Sequence, residues 1–292
     1  MKTKEFQKGV FSATIGSIWW GVLGTYYFQF ITFAGTLEVV VHRCIWTSFI
    51  LFFTTLFFKK WNIFKKVVSD KKKIIYLFLT SILIFGNWSA WIYAVSINKI
   101  IDASIGYFIF PILSVFFGYI FFNEKLNKRR IASLVIVLLA SLYLFIDVST
   151  FPWIGFILAL LWSSYNLLRK KIKVDADVGL FVESLFILPI AFLILYFIFQ
   201  NNTNDFSFSN PSLMFLLFLA GPMTVIPLFL YIKGVEFAGL GPSGMIFFIT
   251  PTGQFLLGFF YYNEPFSSQK FVSFILIWVA VIIYLKDLYE NY

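Results

Sequence analysis

FIFPILSVFFGYIFFNE, residues 108–124, and FITPTGQFLLGFFYYNE, residues 248–264, decide how this chain is read. Pro111, Gly118, Asn123 and Glu124 stand against Pro251, Gly258, Asn263 and Glu264 at a constant offset of 140, and Phe108 against Phe248. A proline within an apolar run, a glycine seven residues on and Asn-Glu at the exit is an uncommon combination. The competing reading is chance, since apolar helices share proline, glycine and aromatic residues. Trp20 against Trp162 is a weaker echo of the same repeat.

Around these stretches the chain is apolar throughout. Of 292 residues, 60% are hydrophobic and only 13% charged, where a soluble domain is about half apolar and about a quarter charged. Apolar runs lie near residues 10–30, 36–58, 74–97, 101–122, 130–147, 152–168, 178–199, 213–233, 241–261 and 269–286. A bilayer crossing takes roughly 20 residues, so ten crossings leave only short loops. A soluble enzyme and a nucleotide-driven cytosolic machine are thereby excluded. The expected fold is an all-α integral membrane protein of ten transmembrane helices, with five-helix halves at 1–148 and 149–292. Five is odd, so the second half enters from the opposite face. An inverted repeat of this kind is the architecture of alternating-access secondary transporters.

Orientation follows from lysine and arginine, which cytoplasmic loops retain in excess. With the N-terminus inside, 20 of the 23 basic residues fall on that side. Lys99 and Lys270 fall outside, and Arg43 lies within a span. Both termini are expected in the cytoplasm. The net charge of +9 is then an orientation signal and a contact with anionic lipid rather than a nucleic-acid footprint. Cys44 is the one cysteine and His42 the one histidine, so neither an internal disulfide nor a His/Cys metal site is expected. Gly239-Leu240-Gly241-Pro242-Ser243-Gly244 fits G-x-G-x-x-G, but no strand precedes it and a proline occupies it. The dinucleotide reading needs a strand–turn–helix context and is rejected.

The chain resembles the EamA-type branch of the drug/metabolite transporter superfamily, and within it the RarD-like permeases. The residues that carry the resemblance are His42-Arg43 with Trp46, Asn87-Trp88, residues 103–111, Asn123-Glu124-Lys125-Leu126, Glu183, Gly221, Thr224 and Pro227-Leu228. The resemblance implies ten helices, a bacterial cytoplasmic membrane and a central solute cavity. Two positions depart from it: Asp102 replaces the usual Glu, and Phe110 stands where Asn is expected.

Ionisable groups within spans are costly and mark function or a partner. Glu38 and His42, four apart, share one face of span 2, with Arg43 one step around. They read either as an outer gate or as a fixed helix anchor, and His42 either titrates or packs as a satisfied polar group. Glu183, in span 7, is the best candidate for proton coupling; the alternative is a structural pair with Arg43 or a lysine. Trp20, Asn87, Trp88, Tyr107, Trp162, Tyr165 and Asn166 fall nearer mid-depth than the interfaces where aromatic belts form. With Arg43 and Gln254 they are the expected substrate-binding residues, bundle packing being the alternative. Pro111 and Pro251 free backbone carbonyls and serve either as flexing points or as static kinks. No catalytic residue and no cofactor is expected. The function expected is transport of an amino acid, quaternary amine, metabolite or amphiphilic drug, with a slight preference for neutral, zwitterionic or monocationic solutes and with protons as a candidate coupling ion. A lipid- or isoprenoid-processing membrane enzyme is the rival, and monomer and homodimer both remain open.

Overall fold

A computed structural model describes residues 2–97, 100–145, 152–261 and 268–290. Lys99, Asp147 and the Asn263-Glu264 end of the repeat lie outside them, as do the side chains of residues 101–105. The described elements are all helical. The first rod comprises α1 (Lys2–Ile18), a π-helical turn (Trp19–Gly24) and α2 (Thr25–Phe30). Then come α3 (Thr36–Phe57), α4 (Trp61–Ser69), α5 (Lys71–Ser96), α6 (Ile100–Phe122) and α7 (Lys128–Phe145). The later part contains α8 (Trp153–Ile172), α9 (Ala176–Gln200), α10 (Pro211–Ala238), α11 (Leu240–Ile246), α12 (Ile249–Phe260) and α13 (Ser268–Glu290).

Local sequence sets many of these ends. Asn210 caps α10, its side-chain oxygen accepting from the Leu213 N–H at 3.1 Å, and Pro211 takes a first-turn position where no N–H is needed. Asp70 accepts from the N–H groups of Lys72 and Lys73 at the start of α5, and Asn127 from that of Arg130 in α7. Gly239, at φ 106°, turns the chain from α10 into α11. A side chain there would be strained.

Among the described residues, six stretches are long and apolar enough to cross a membrane: Thr36–Phe57, Lys71–Trp91, Ala176–Gln200, Pro211–Ala238, Leu240–Phe260 and Phe271–Glu290. Gly106–Phe122 is a shorter apolar helix. Their outer surfaces expose side chains such as Phe57, Leu79, Leu193 and Ile282, a surface suited to lipid rather than water.

Two departures from an unbroken-helix reading stand out. The run at 241–261 is split at Phe247–Phe248, where Phe248 N donates to Met245 O and Thr250 N to Phe247 O, tight three-residue bonds. Pro251 removes the N–H that would reach Phe247 O and its ring crowds that carbonyl. Pro111, by contrast, sits inside a continuous α6. The charged second connection, expected as a loop, contains the amphipathic helix α4.

The helices pack in defined pairs: α1 on α10, α6 on α8, α7 on α13, α3 on α9 and α10, α5 on α8, and α11 on α6. Small residues let backbones approach. A Cβ on Gly234 would lie 2.6 Å from Ala13 Cβ, and one on Gly106 2.6 Å from Gly155 O. The connections gather at two ends. At one, Lys60 pairs with Asp177 at 2.6 Å, Arg130 with Asp287 at 2.8 Å, and Lys170 with Glu124 at 2.5 Å. At the other, Gly35 N–H donates to Asp205 at 2.6 Å, and the ring of Tyr26 meets that of Tyr261.

Candidate functional site

The middle of the bundle is an aromatic junction. The π turn carries Trp20 to within 5.5 Å of Trp162 on α8, 5.9 Å of Tyr231 on α10 and 6.1 Å of Phe247 at the α11–α12 break. Phe110 meets Phe247 at 4.8 Å, and Trp162 stacks on Tyr165 at 5.4 Å. The π turn is held by Thr25, whose hydroxyl donates to Trp20 O at 2.9 Å. Gly21 lies directly on the Thr250 backbone and Gly253 on Gly21, so α12 touches the π turn with no side chain between. π turns are frequent at functional sites.

Trp162 Nε1, Tyr231 Oη and Asn166 Oδ1 in or beside this junction are buried with no hydrogen-bond partner among the described residues, as are atoms elsewhere in the bundle such as the hydroxyls of Thr55, Ser141 and Ser273. Asn166 spends its donor on Trp162 O at 2.8 Å. Buried polar groups are nearly always satisfied, so orphans grouped in one place call for an explanation. Phe110, where Asn was expected, is fully buried in the same cluster and brings only its ring.

Toward the basic end lies a charge network. The Glu183 carboxylate accepts from the Thr80 hydroxyl at 2.6 Å and from the Tyr165 hydroxyl at 3.1 Å. Arg169 Nε stands 3.4 Å from it, and both side chains are almost wholly buried. The partner of Glu183 is therefore Arg169, and neither Arg43 nor a lysine. Arg169 also donates to Ala176 O at 3.1 Å. Its guanidinium rests over Gly179, whose missing side chain makes the room. Cys44, Thr47, Trp88, Glu183, Ser184 and Leu228 enclose a narrow cavity here, with room for about one water.

Toward the other end, Glu38 accepts from the N–H groups of Asp205 and Phe206 at 2.6 and 2.9 Å, fixing the α9–α10 connection. His42 Nε2 lies 3.7 Å from Glu38, and its Nδ1 accepts the Trp46 indole N–H at 3.1 Å. Its ring stacks on Phe206 at 4.5 Å. Arg43 points elsewhere. Its guanidinium lies 4.4 Å above the Trp88 ring and 5.2 Å from that of Phe28.

Of the expected binding residues, Trp20, Trp162, Tyr165 and Asn166 meet at or beside the junction. Tyr107 joins it through Phe247 at 5.8 Å. Trp88 sits with Arg43. Asn87 is a strut, its amide donating to Leu158 O at 3.1 Å. Gln254, partly exposed on α12, has no hydrogen bond to another described residue and joins neither group. Sequence reasoning missed Tyr231, Phe247, Thr80 and Arg169. Tyr231 is one tyrosine in a long apolar run; Arg169 was masked by the basic run that follows it.

At the basic end, Glu124 accepts from Lys170, from Leu240 N–H and from Gly241 N–H, the last two at 2.9 Å. The glycine-rich stretch that mimics a dinucleotide motif thus receives a carboxylate of its own chain, between two helices.

The EamA-like transporter family model matches this chain twice, over residues 7–146 and 151–286. The chain belongs to the EamA-like transporter family. Relatives include an uncharacterized transporter, YojE, of Bacillus subtilis, 32% identical with 97% of this chain and 95% of that one covered. Protein RarD of Escherichia coli is 31% identical, covering 98% and 97%. A solved crystal structure 13% identical matches 97% of this chain and 99% of its own with a TM-score of 0.74, a likeness of fold. EamA-like relatives are named as transporters rather than enzymes, and family membership makes this chain a multi-pass membrane transporter.

Proposed function

We propose that this EamA-like chain is a secondary transporter that moves a small organic solute across the bacterial cytoplasmic membrane by alternating access. In this reading its halves, 1–148 and 149–292, each cross the membrane five times with inverted topology, and both termini are cytoplasmic. The observation that carries the proposal is the set of partnerless polar atoms, Trp162 Nε1, Tyr231 Oη and Asn166 Oδ1, enclosed by rings from α6, α8, α10, the π turn and the α11–α12 break. Unsatisfied polar atoms among these rings support a site that takes a polar partner. A solute with an apolar body and one or two polar groups would satisfy them, and aromatic faces would hold it.

The helix neighbours support two equivalent halves. Take the rods in order, with α1 to α2 as the first, α3, α5, α6 and α7 next, and α11–α12 as the ninth. Replacing each by the one five places on maps α1–α10 onto α8–α5, α6–α8 onto α11–α12 against the first rod, and α3–α10 onto α9–α5. The pairs α3–α9, α6–α11 and α7–α13 map onto themselves. The repeat residues Phe108 and Phe248 touch, ring centres 6.3 Å apart. Grouping of the basic loops at one end supports the orientation.

Rocking between the halves would break and remake the end contacts, Glu124 with α11 at the basic end and Glu38 with residues 205–206 at the other. Pro111 and Pro251 are candidate flexing points. A coupling role for Glu183, with His42 and Glu38 further along, would require Glu183 to part from Arg169 during the cycle.

The test is a stability screen of purified protein against amino acids, nucleobases, quaternary amines and amphiphilic drugs, followed by uptake of any hit into liposomes. A ligand that binds only the folded state raises apparent stability by RT ln(1 + [L]/Kd). Saturable uptake, reduced by Trp162→Phe and Tyr231→Phe in folded protein, is the expected result. Solute-independent proton leak through the purified chain would instead indicate a channel and sink the proposal.

A further inference from the structure

We propose that Arg43 is the anchor for a carboxylate on the transported solute, so that the solute class is organic monoanions and zwitterions with an apolar body. The inference rests on the transporter reading and names the chemistry its site would take.

Arg43 is the eighth residue of α3, roughly 10 Å of helix rise below Thr36, which is hydrocarbon depth. A guanidinium there needs a counter-charge. Among the described residues no carboxylate lies within ion-pairing distance of it, and its Nε is buried without a partner. The nearby carboxylates are spent elsewhere. Glu38 holds two backbone N–H groups, and Glu183 holds Arg169, Thr80 and Tyr165. What surrounds Arg43 is aromatic: Trp88 and Phe28 under the guanidinium, with the phenols of Tyr27 and Tyr107 near enough to sense its charge. Tyr27 spends its hydroxyl proton on Leu216 O at 2.7 Å. Cation–π contact compensates only part of the desolvation of a guanidinium.

The residue as a whole is not fully buried. Its planar donors match a carboxylate bidentately, and Trp88 would meet the carbon skeleton beside it. Tyr107 continues this surface to Phe247 and the central junction, which would let one solute touch both places. A single cation favours a singly charged anion over a phosphate dianion.

The experiment uses the full chain in detergent and sets of solutes sharing one carbon skeleton, such as phenylacetate, phenethylamine and phenethyl alcohol, with alkyl counterparts and inorganic phosphate. Carboxylates are expected to raise the melting temperature while the matched amine, alcohol and phosphate do not. Arg43→Met should weaken carboxylate binding roughly 30-fold or more, and Arg43→Lys should recover part of it, because the charge is kept and the fork lost. The melting temperature without solute establishes that each variant is folded. The assignment is overturned if amines, alcohols or phosphate bind as well as carboxylates, if no carboxylate binds, or if Arg43→Met leaves carboxylate binding unchanged. An amine that binds and enters liposomes would sink the Arg43 assignment and leave the transporter reading intact. A carboxylate held by Arg43 yet never moved across a membrane would do the reverse.

Discussion

Arg43 and Glu183 occupy the same place twice. Each is the eighth residue of its helix, α3 or α9, and the two helices begin 140 residues apart. One is a cation and the other a carboxylate, and their surroundings are opposite in kind. Glu183 is enclosed by Thr80, Tyr165 and Arg169, so its charge is neutralised within the protein. Arg43 has rings under it and, among the described residues, no carboxylate within ion-pairing distance. Depth in the membrane therefore does not decide whether a buried charge serves the scaffold or a solute; the identity of the nearest side chains does.

The sharpest way to break this contrast is to give Glu183 the condition of Arg43. Arg169→Met should strand a buried carboxylate and cost about 3–5 kcal/mol of apparent stability, read as a large fall in melting temperature. Adding Glu183→Gln should restore most of it, since the stranded charge rather than the lost contact is the main cost. If the single variant melts like the wild type, the network is not structural.

A smaller loss is expected at the basic end. Glu124→Ala removes the acceptor for two backbone N–H groups and for Lys170, at about 1–3 kcal/mol, and should speed proteolysis at residues 239–241. Smaller again is Arg43→Met. Without solute it should change stability by less than about 1 kcal/mol, because lost cation–π contact is offset by relief of desolvation. A loss as large as that of Arg169→Met would mean that Arg43 too has a structural partner.

The smallest effect concerns Lys60. Burial pulls its amine down, but hydrogen bonding and charge from Asp177, then Asp175, outweigh this and hold its pKa above the ordinary lysine value. A raised pKa stabilises below the unfolded value of about 10.4 and is lost as pH rises through the folded one. Lys60→Met should thus melt slightly below wild type at neutral pH, with the gap closing only above about pH 10.4.

Much of this was legible in sequence because it is local. Apolar run length placed the rods, so that 36–58 became Thr36–Phe57 and 178–199 became Ala176–Gln200. The central tryptophans were found because indoles far from the interfaces are conspicuous. What stayed hidden depends on packing. Arg169 and Lys170 are adjacent in one basic run, yet one is buried against Glu183 and the other reaches Glu124. No charge count separates them. Tyr231 looks like any residue of α10 until its hydroxyl is seen to lack a partner. The break before Pro251 and the continuity through Pro111 are opposite outcomes for the same residue type, which residue identity alone does not separate.

The π turn at Trp19–Gly24 has a consequence for the symmetry of the molecule. From Trp20 to the start of α3 there are 16 residues, and from Trp162 to the start of α9 only 14. A turn closed by bonds five residues apart holds one residue more than an α turn, so it stores half of that surplus inside a straight rod. In the two-halves reading proposed above, the halves are then out of step by a residue where Trp20 and Trp162 meet. Deleting one residue from the turn would return it to α geometry with Lys2–Ile18 and Thr25–Phe30 in nearly their present rotational register, so that the expected change is confined to the turn itself, Trp20 included.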